Sequence, residues 1–155
     1  MLYEILLEYK SSTWYNYLGW GVVYLTVKQQ PKLNKYQYDT LLELCRYAKN
    51  LFNEGLYNCR QYYFNEGEYL NYVKNYHLLK ESENYKMLNS NMAQQILKEV
   101  DGSFQAFFGL LKSAKKGRYS YRDIKLPQYL RKEGYFTLVI GFVRFEPRII
   151  IRQPE

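Results

Sequence analysis

NKYQYDTLLELCRYAKNLFNEGLYNCRQYY, residues 34–63, carries the periodicity of a long amphipathic helix. Leu41, Cys45, Ala48, Phe52, Gly55, Cys59 and Tyr62 alternate steps of four and three, which draws one apolar stripe along a helix. Asn34 stands where a helix cap is needed. Small residues at Cys45, Ala48, Gly55 and Cys59 let a second helix approach closely, so the stretch predicts a helix packed against another. On such a helix the two cysteines lie about 21 Å apart and cannot pair within it.

A partner helix follows. Met92, Ile96, Val100, Ser103, Phe107, Leu110 and Ala114 form a second stripe, and Leu97, Phe104, Phe108 and Leu111 widen it. Asn91 and Gln94 have capping-box spacing at its head, and Gly117 is a natural stop. Asp101-Gly102 is a soft spot, since glycine costs about 1 kcal/mol relative to alanine there. A shorter helix is expected over residues 66–80, with Asn65 and Glu68 spaced as a cap. The block predicts a compact antiparallel bundle.

Strand signals bracket the helices. Residues 22–27 are β-branched and apolar and run into Pro31; residues 135–145 read as a second strand and 149–151 as a short third. The expected fold is mainly α: a helical bundle inserted between short β-strands of an incomplete small β module, an α+β arrangement. The expected division is an unassigned extension at 1–21, a partial β module at 22–30 and 135–152, and a helical domain at 34–132 ending in a basic loop.

Charge is segregated along the chain. Residues 1–111 carry eleven basic and eleven acidic residues, so the last 44 residues supply the whole net charge of +7. Most of it is one run, Lys112, Lys115, Lys116, Arg118, Arg122, Lys125, Arg131 and Lys132, with Tyr119, Tyr121 and Tyr129 interleaved. Basic charge mixed with aromatic rings suits a polyanion with stackable bases; a solvated basic face is the competing reading. The 19 tyrosines are expected mostly at the edges of packing, half buried. His77 is the one histidine and no CxxC occurs, so a tetrahedral Cys/His metal site has too few ligands and no cofactor is implied. No apolar run approaches the roughly 20 residues of a membrane span, and Glu4 and Glu8 in the opening argue against a secretory signal. A cytoplasmic location is expected.

Four blocks carry a family resemblance when taken in order: 48–56 (AKNLFNEGL), 91–100 (NMAQQILKEV) with 103–108 (SFQAFF), Lys115-Lys116-Gly117, and 125–129 (KLPQY). Together they resemble the N-terminal part of TnpB-type proteins of insertion sequences, often labelled transposases, a family that includes RNA-guided DNA endonucleases. The resemblance spans about residues 24–144. It implies a β-rich wedge domain interrupted by a helical recognition domain, gripping a structured guide RNA and DNA. It also implies that Gln94, at the head of the long recognition helix, takes part in reading a short motif beside the target. An amide can bridge a base edge with donor and acceptor; a helix cap or surface amide is the plainer reading of the same residue.

Two departures from the family shape the expectation. Residues 1–21 do not match the usual start, and the chain ends where the family's nuclease domain would follow. The expected function is therefore that of a truncated protein that binds nucleic acid without cutting it, with no catalytic or metal-binding residues. The expected contacts are Gln94, Lys112, Lys115, Lys116, Arg118, Tyr119, Tyr121, Arg122, Lys125, Arg131 and Lys132. A stand-alone RNA-binding regulator that competes with an intact nuclease, or a non-functional gene remnant, is the alternative. The sequence leaves the oligomeric state open.

Overall fold

A computed structural model describes residues 4–12, 24–29, 32–139 and 148–152. The chain is mainly helical, with its helical block set between strands, in the order β1 (Glu4–Ser12), β2 (Tyr24–Gln29), α1 (Lys35–Glu66), α2 (Tyr72–Leu79), α3 (Glu83–Lys86), α4 (Ser90–Lys115), β3 (Leu138–Val139) and β4 (Arg148–Arg152).

The strands form an antiparallel sheet in the order β2-β1-β4-β3. Leu7 of β1 stands opposite Gln29 of β2 on one side and Ile149 of β4 on the other. The segment that the sequence left unassigned thus supplies an inner strand, and the two expected β regions meet through it. The helical block leaves the sheet from one edge strand, β2, and returns to the other, β3. Residues 1–3, 13–23, 30–31, 140–147 and 153–155 lie outside the described residues, and with them the first two residues of the expected strand at 22–27 and residues 140–145 of the one at 135–145. Within the described part, residues 135–137 are not strand but packed loop; Phe136 stacks on Phe52 of α1 with ring centroids 4.5 Å apart.

Helix α1 begins as its sequence asks. Asn34 Oδ1 accepts from the Gln37 amide at 2.9 Å, and the Gln37 side chain returns a bond to the Asn34 amide at 3.0 Å, a complete capping box. Cys45, Ala48, Phe52, Gly55 and Cys59 of the stripe are buried, joined by Leu51 and Leu56. The helix then outruns the boundary read from sequence. It ends at Gly67, which takes the left-handed conformation (φ 70°) that favours glycine and donates its amide to Tyr63. The next helix starts five residues later, capped by Asn71, so the Asn65/Glu68 pair caps nothing.

Helix α4 is capped by Asn89 rather than Asn91, and the Asn91 amide is itself the donor to Asn89 Oδ1. Its buried residues are Ala93, Ile96, Leu97, Val100, Phe104 and, near its end, Ala114. Ile96, Val100 and Ala114 of the expected stripe are buried together with Leu97 and Phe104 of the flanking row, whereas Leu110 of the stripe is 40% exposed. Gly117 stops the helix region with φ 73°, as expected.

The helices pack up-down-up, with α2 running against both long helices. Gly55 of α1 faces Leu97 and Val100 of α4, while Tyr63, further along α1, meets Phe107 and Phe108, further along α4. The two long helices therefore run parallel, and the short α2 and α3 carry the chain back between them. At the α1–α4 contact the helices are so close that a Cβ on Gly55 would sit 3.0 Å from Leu97 Cδ2. Asn75 of α2, fully buried beside it, donates to the Gly55 carbonyl at 3.1 Å and to Cys59 Sγ at 3.3 Å.

Candidate nucleic-acid interface

The basic run begins on the last turns of α4 and continues through the loop that follows. Lys112 and Lys115 lie in the last turns of α4, where cations suit the helix dipole, and Lys116 is the C-cap. The Arg118 amide then bonds the Ser113 carbonyl, and Ser120 caps a single 3₁₀ turn, Tyr121–Asp123, that holds Tyr121 and Arg122. Lys125 follows in extended loop, and Arg131 and Lys132 occupy a turn closed by the Gly134 amide on the Arg131 carbonyl.

All eight of these cations are exposed, and Tyr119 and Tyr121 are 57% and 56% exposed. Among the described residues none of the eight forms a salt bridge. Asp123 is the one acid between Lys112 and Lys132. Exposed like-signed charges held on one segment repel one another, and a bound polyanion relieves that repulsion.

The loop is not free to swing. From Pro127 to Phe136 it runs back along α1 as a strap, bonded to helix positions that recur at helical spacing. Arg60 donates to the Pro127 carbonyl at 3.3 Å, and Asn53 pairs with Leu130 through both its amide and carbonyl, at 2.9 and 3.0 Å. The buried Lys49 ammonium donates to the Lys132 carbonyl at 2.6 Å, and the Phe136 amide donates to the Cys45 carbonyl at 3.2 Å. Leu126, Leu130, Tyr135 and Phe136 pack on the core beneath. Lys49, Phe52 and Asn53, the centre of the first resembling block, thus hold the strap that carries the last block.

Gln94 stands apart. It lies 21 positions before Lys115 on the same helix, about 31 Å along the axis. Near it stands Tyr85, whose phenol is raised above its ordinary value chiefly by burial, with Gln94 and Ser90 pulling the other way. The structure therefore puts Lys112, Lys115 and Lys116 at the end of α4 opposite Gln94, while the strap carries Arg131 and Lys132 back along α1 toward Asn53 and Lys49.

The sequence reading missed Arg60 and Gln128, and singled out Tyr129 only as one ring among the cations. The Arg60 guanidinium lies over the Tyr129 ring, 4.8 Å from its centroid. Between α1 and the strap is an open groove of about 500 Å³ lined by Arg60, Lys125, Leu126, Gln128 and Tyr129. Adjacency of Lys125 and Tyr129 in sequence hinted at one wall; the other wall comes from α1.

Elsewhere four carboxylates have structural partners. Asp101 on α4 accepts from the Tyr72 amide at 2.7 Å, from the Tyr69 hydroxyl and from Gln105 at 2.6 Å, so it caps the start of α2. Glu54 ties α1 to Ser82 and Asn84, Glu43 bonds Tyr47, and Glu81 pairs with Lys86. Among the described residues no group of three His, Cys, Asp or Glu side chains could hold a metal ion. Burial pushes both cysteine thiols up to about 12, far from the range of a reactive thiolate. Among the described residues no helix is long and apolar enough to cross a membrane. In comparisons with protein-family models, curated proteins and solved structures, the chain matches none.

Proposed function

We propose that this chain binds nucleic acid through the basic segment 112–132 and does not cut it, acting as the recognition part of a TnpB-type protein in the cytoplasm. The observation that carries the reading is the run of eight exposed cations without acidic partners among the described residues, with Tyr119 and Tyr121 exposed among them. A merely solvated face needs no aromatic rings and no fixed backbone, and here the strap bonds to Lys49, Asn53 and Arg60 pin the loop to α1. The reading of no cutting is supported by the engagement of Asp101 and Glu54 in helix-to-helix bonds. Metal-assisted phosphodiester hydrolysis needs convergent carboxylates.

Recovery of RNA with the purified chain, followed by a salt titration, tests the reading. If Lys115, Lys116 and Arg118 contact phosphates, replacing all three by Gln flattens the dependence of log affinity on log salt by about two to three. Helical circular dichroism stays unchanged. An unaltered slope would show that the charge is only solvated.

A further inference from the structure

We infer that the groove between Arg60 and Tyr129 is a stacking pocket for one unpaired base of a nucleic-acid strand whose phosphates follow the basic segment. The inference rests on the nucleic-acid reading above and adds to it a subsite, a ligand class and four residues, Arg60, Leu126, Gln128 and Tyr129, that charge alone does not select.

The groove has the parts that base recognition needs. Tyr129 offers a ring that remains 44% exposed with Arg60 over it. Ring and guanidinium are flat surfaces on which a base stacks, whatever its identity. The Arg60 guanidinium is held in place by its bond to the Pro127 carbonyl, two residues before the ring it covers. Leu126 and Leu130 are packed on the core on either side of Tyr129, and Asn53 clamps both polar groups of the Leu130 backbone. The ring is thus presented from a fixed backbone, which lowers the ordering cost of binding. Gln128 is exposed at the groove and carries the donor and acceptor that suit a base edge.

Charge selects the class of ligand. The lining holds two cations, Arg60 and Lys125, and no acid, so a neutral aromatic metabolite would leave its charge unanswered, whereas a nucleotide brings ring and phosphate together. At about 500 Å³ the open groove is of the size that holds small-molecule ligands. A duplex keeps its bases stacked and cannot fill it. The prediction is therefore a preference for unpaired nucleotides that is separate from the salt-dependent grip of the lysines.

The test compares three probes on the full chain by fluorescence polarisation: an adenosine-rich single strand, a fully paired RNA duplex and polyphosphate, which has charge but no bases. Tyr129→Leu should weaken the single strand about ten-fold, leave the duplex and polyphosphate within two-fold, and leave the salt slope unaltered. Tyr129→Phe, which keeps the ring, should bind as the parent does. A single strand carrying 2-aminopurine should be quenched by the parent chain and by Tyr129→Phe. Equal loss for all three probes, or no quenching, would overturn the pocket and make the Arg60–Tyr129 contact a strut for the strap. If Tyr129→Leu melts the fold, Tyr129→Phe and the quenching decide the matter. Loss of the pocket with an intact effect of the triple Gln variant leaves the parent reading standing, while failure of the parent chain to bind any probe removes both.

Discussion

Between Ala93 and Phe104, α4 buries one face and engages Asp101, whereas from Phe107 onward it buries Ala114, exposes Leu110 and ends in cations with no acidic partner among the described residues. In the first part Asp101 serves the fold by receiving the Tyr72 amide and the Tyr69 hydroxyl. In the second part Lys112, Lys115 and Lys116 have no such task. A polar group that folding requires is buried or bonded, because an unpaired buried one costs about 1–3 kcal/mol. A polar group kept exposed and unpaired is available for something outside the chain. The contrast is therefore a physical way to separate residues that make the fold from those that meet a partner.

Raising the pH attacks the first part and should have the largest effect. Burial pushes Cys45 and Cys59 from 9.0 up to about 12, with Asp101 adding to the shift at Cys59. Burial also raises Tyr69, Tyr72 and Tyr85. Each is an acid held neutral in the fold, so the folded state keeps protons that the unfolded state loses, and stability falls as pH rises. The window opens near 9 and closes near 12 for the thiols. For the two buried thiols together the loss between pH 9 and 11 is on the order of 4 kcal/mol, measured by urea unfolding. A Cys45→Ala variant should show a shallower decline. A flat profile would mean that the core around the α1 stripe is not closed to water.

Asp101 offers the next largest effect. Asp101→Ala removes the acceptor for an amide, a hydroxyl and a Gln105 side chain, and should cost about 2 kcal/mol. Asp101→Asn keeps one acceptor oxygen and should lose less. Neither should change nucleic-acid affinity beyond what the stability loss explains, since Asp101 faces α2 rather than the basic segment. A binding defect in a folded Asp101→Asn chain would blur the division between the two parts of α4.

How far the sequence discloses this structure depends on whether identity or placement carries the information. The Asn34 cap and the Gly117 stop are legible because only certain residues do those jobs. The α1 stripe is legible as burial, yet a stripe reads the same in both directions, so it is silent on the parallel run of α1 and α4. That direction is set by the return through α2 and α3, whose short helices carry little periodic pattern. β1 escaped because it pairs on both sides and shows no clear alternation. The cations of the candidate interface were visible as charges. The groove was not: Arg60 meets a backbone carbonyl 67 residues away, and a carbonyl has no residue identity to read.

The smallest effect concerns what the cations do for the fold itself. Lys112 and Lys115 lie in the last turns of α4, where the unpaired carbonyls give the helix end a partial negative charge. Lys112→Gln and Lys115→Gln should therefore each cost about 0.3–0.5 kcal/mol at low salt, at the exposed end of the dipole range. Salt should erase even this, because at about 1 M the screening length is near 3 Å. Thermal melts at two ionic strengths measure both quantities. The expected pattern is a slight loss at low salt, none at high salt, and a much larger loss of RNA affinity in the triple Gln variant. A stability cost well above 1 kcal/mol that survives high salt would place these lysines among the residues that build the fold. The contrast with Asp101 would then fail, and with it the physical ground for reading the end of α4 as an interface.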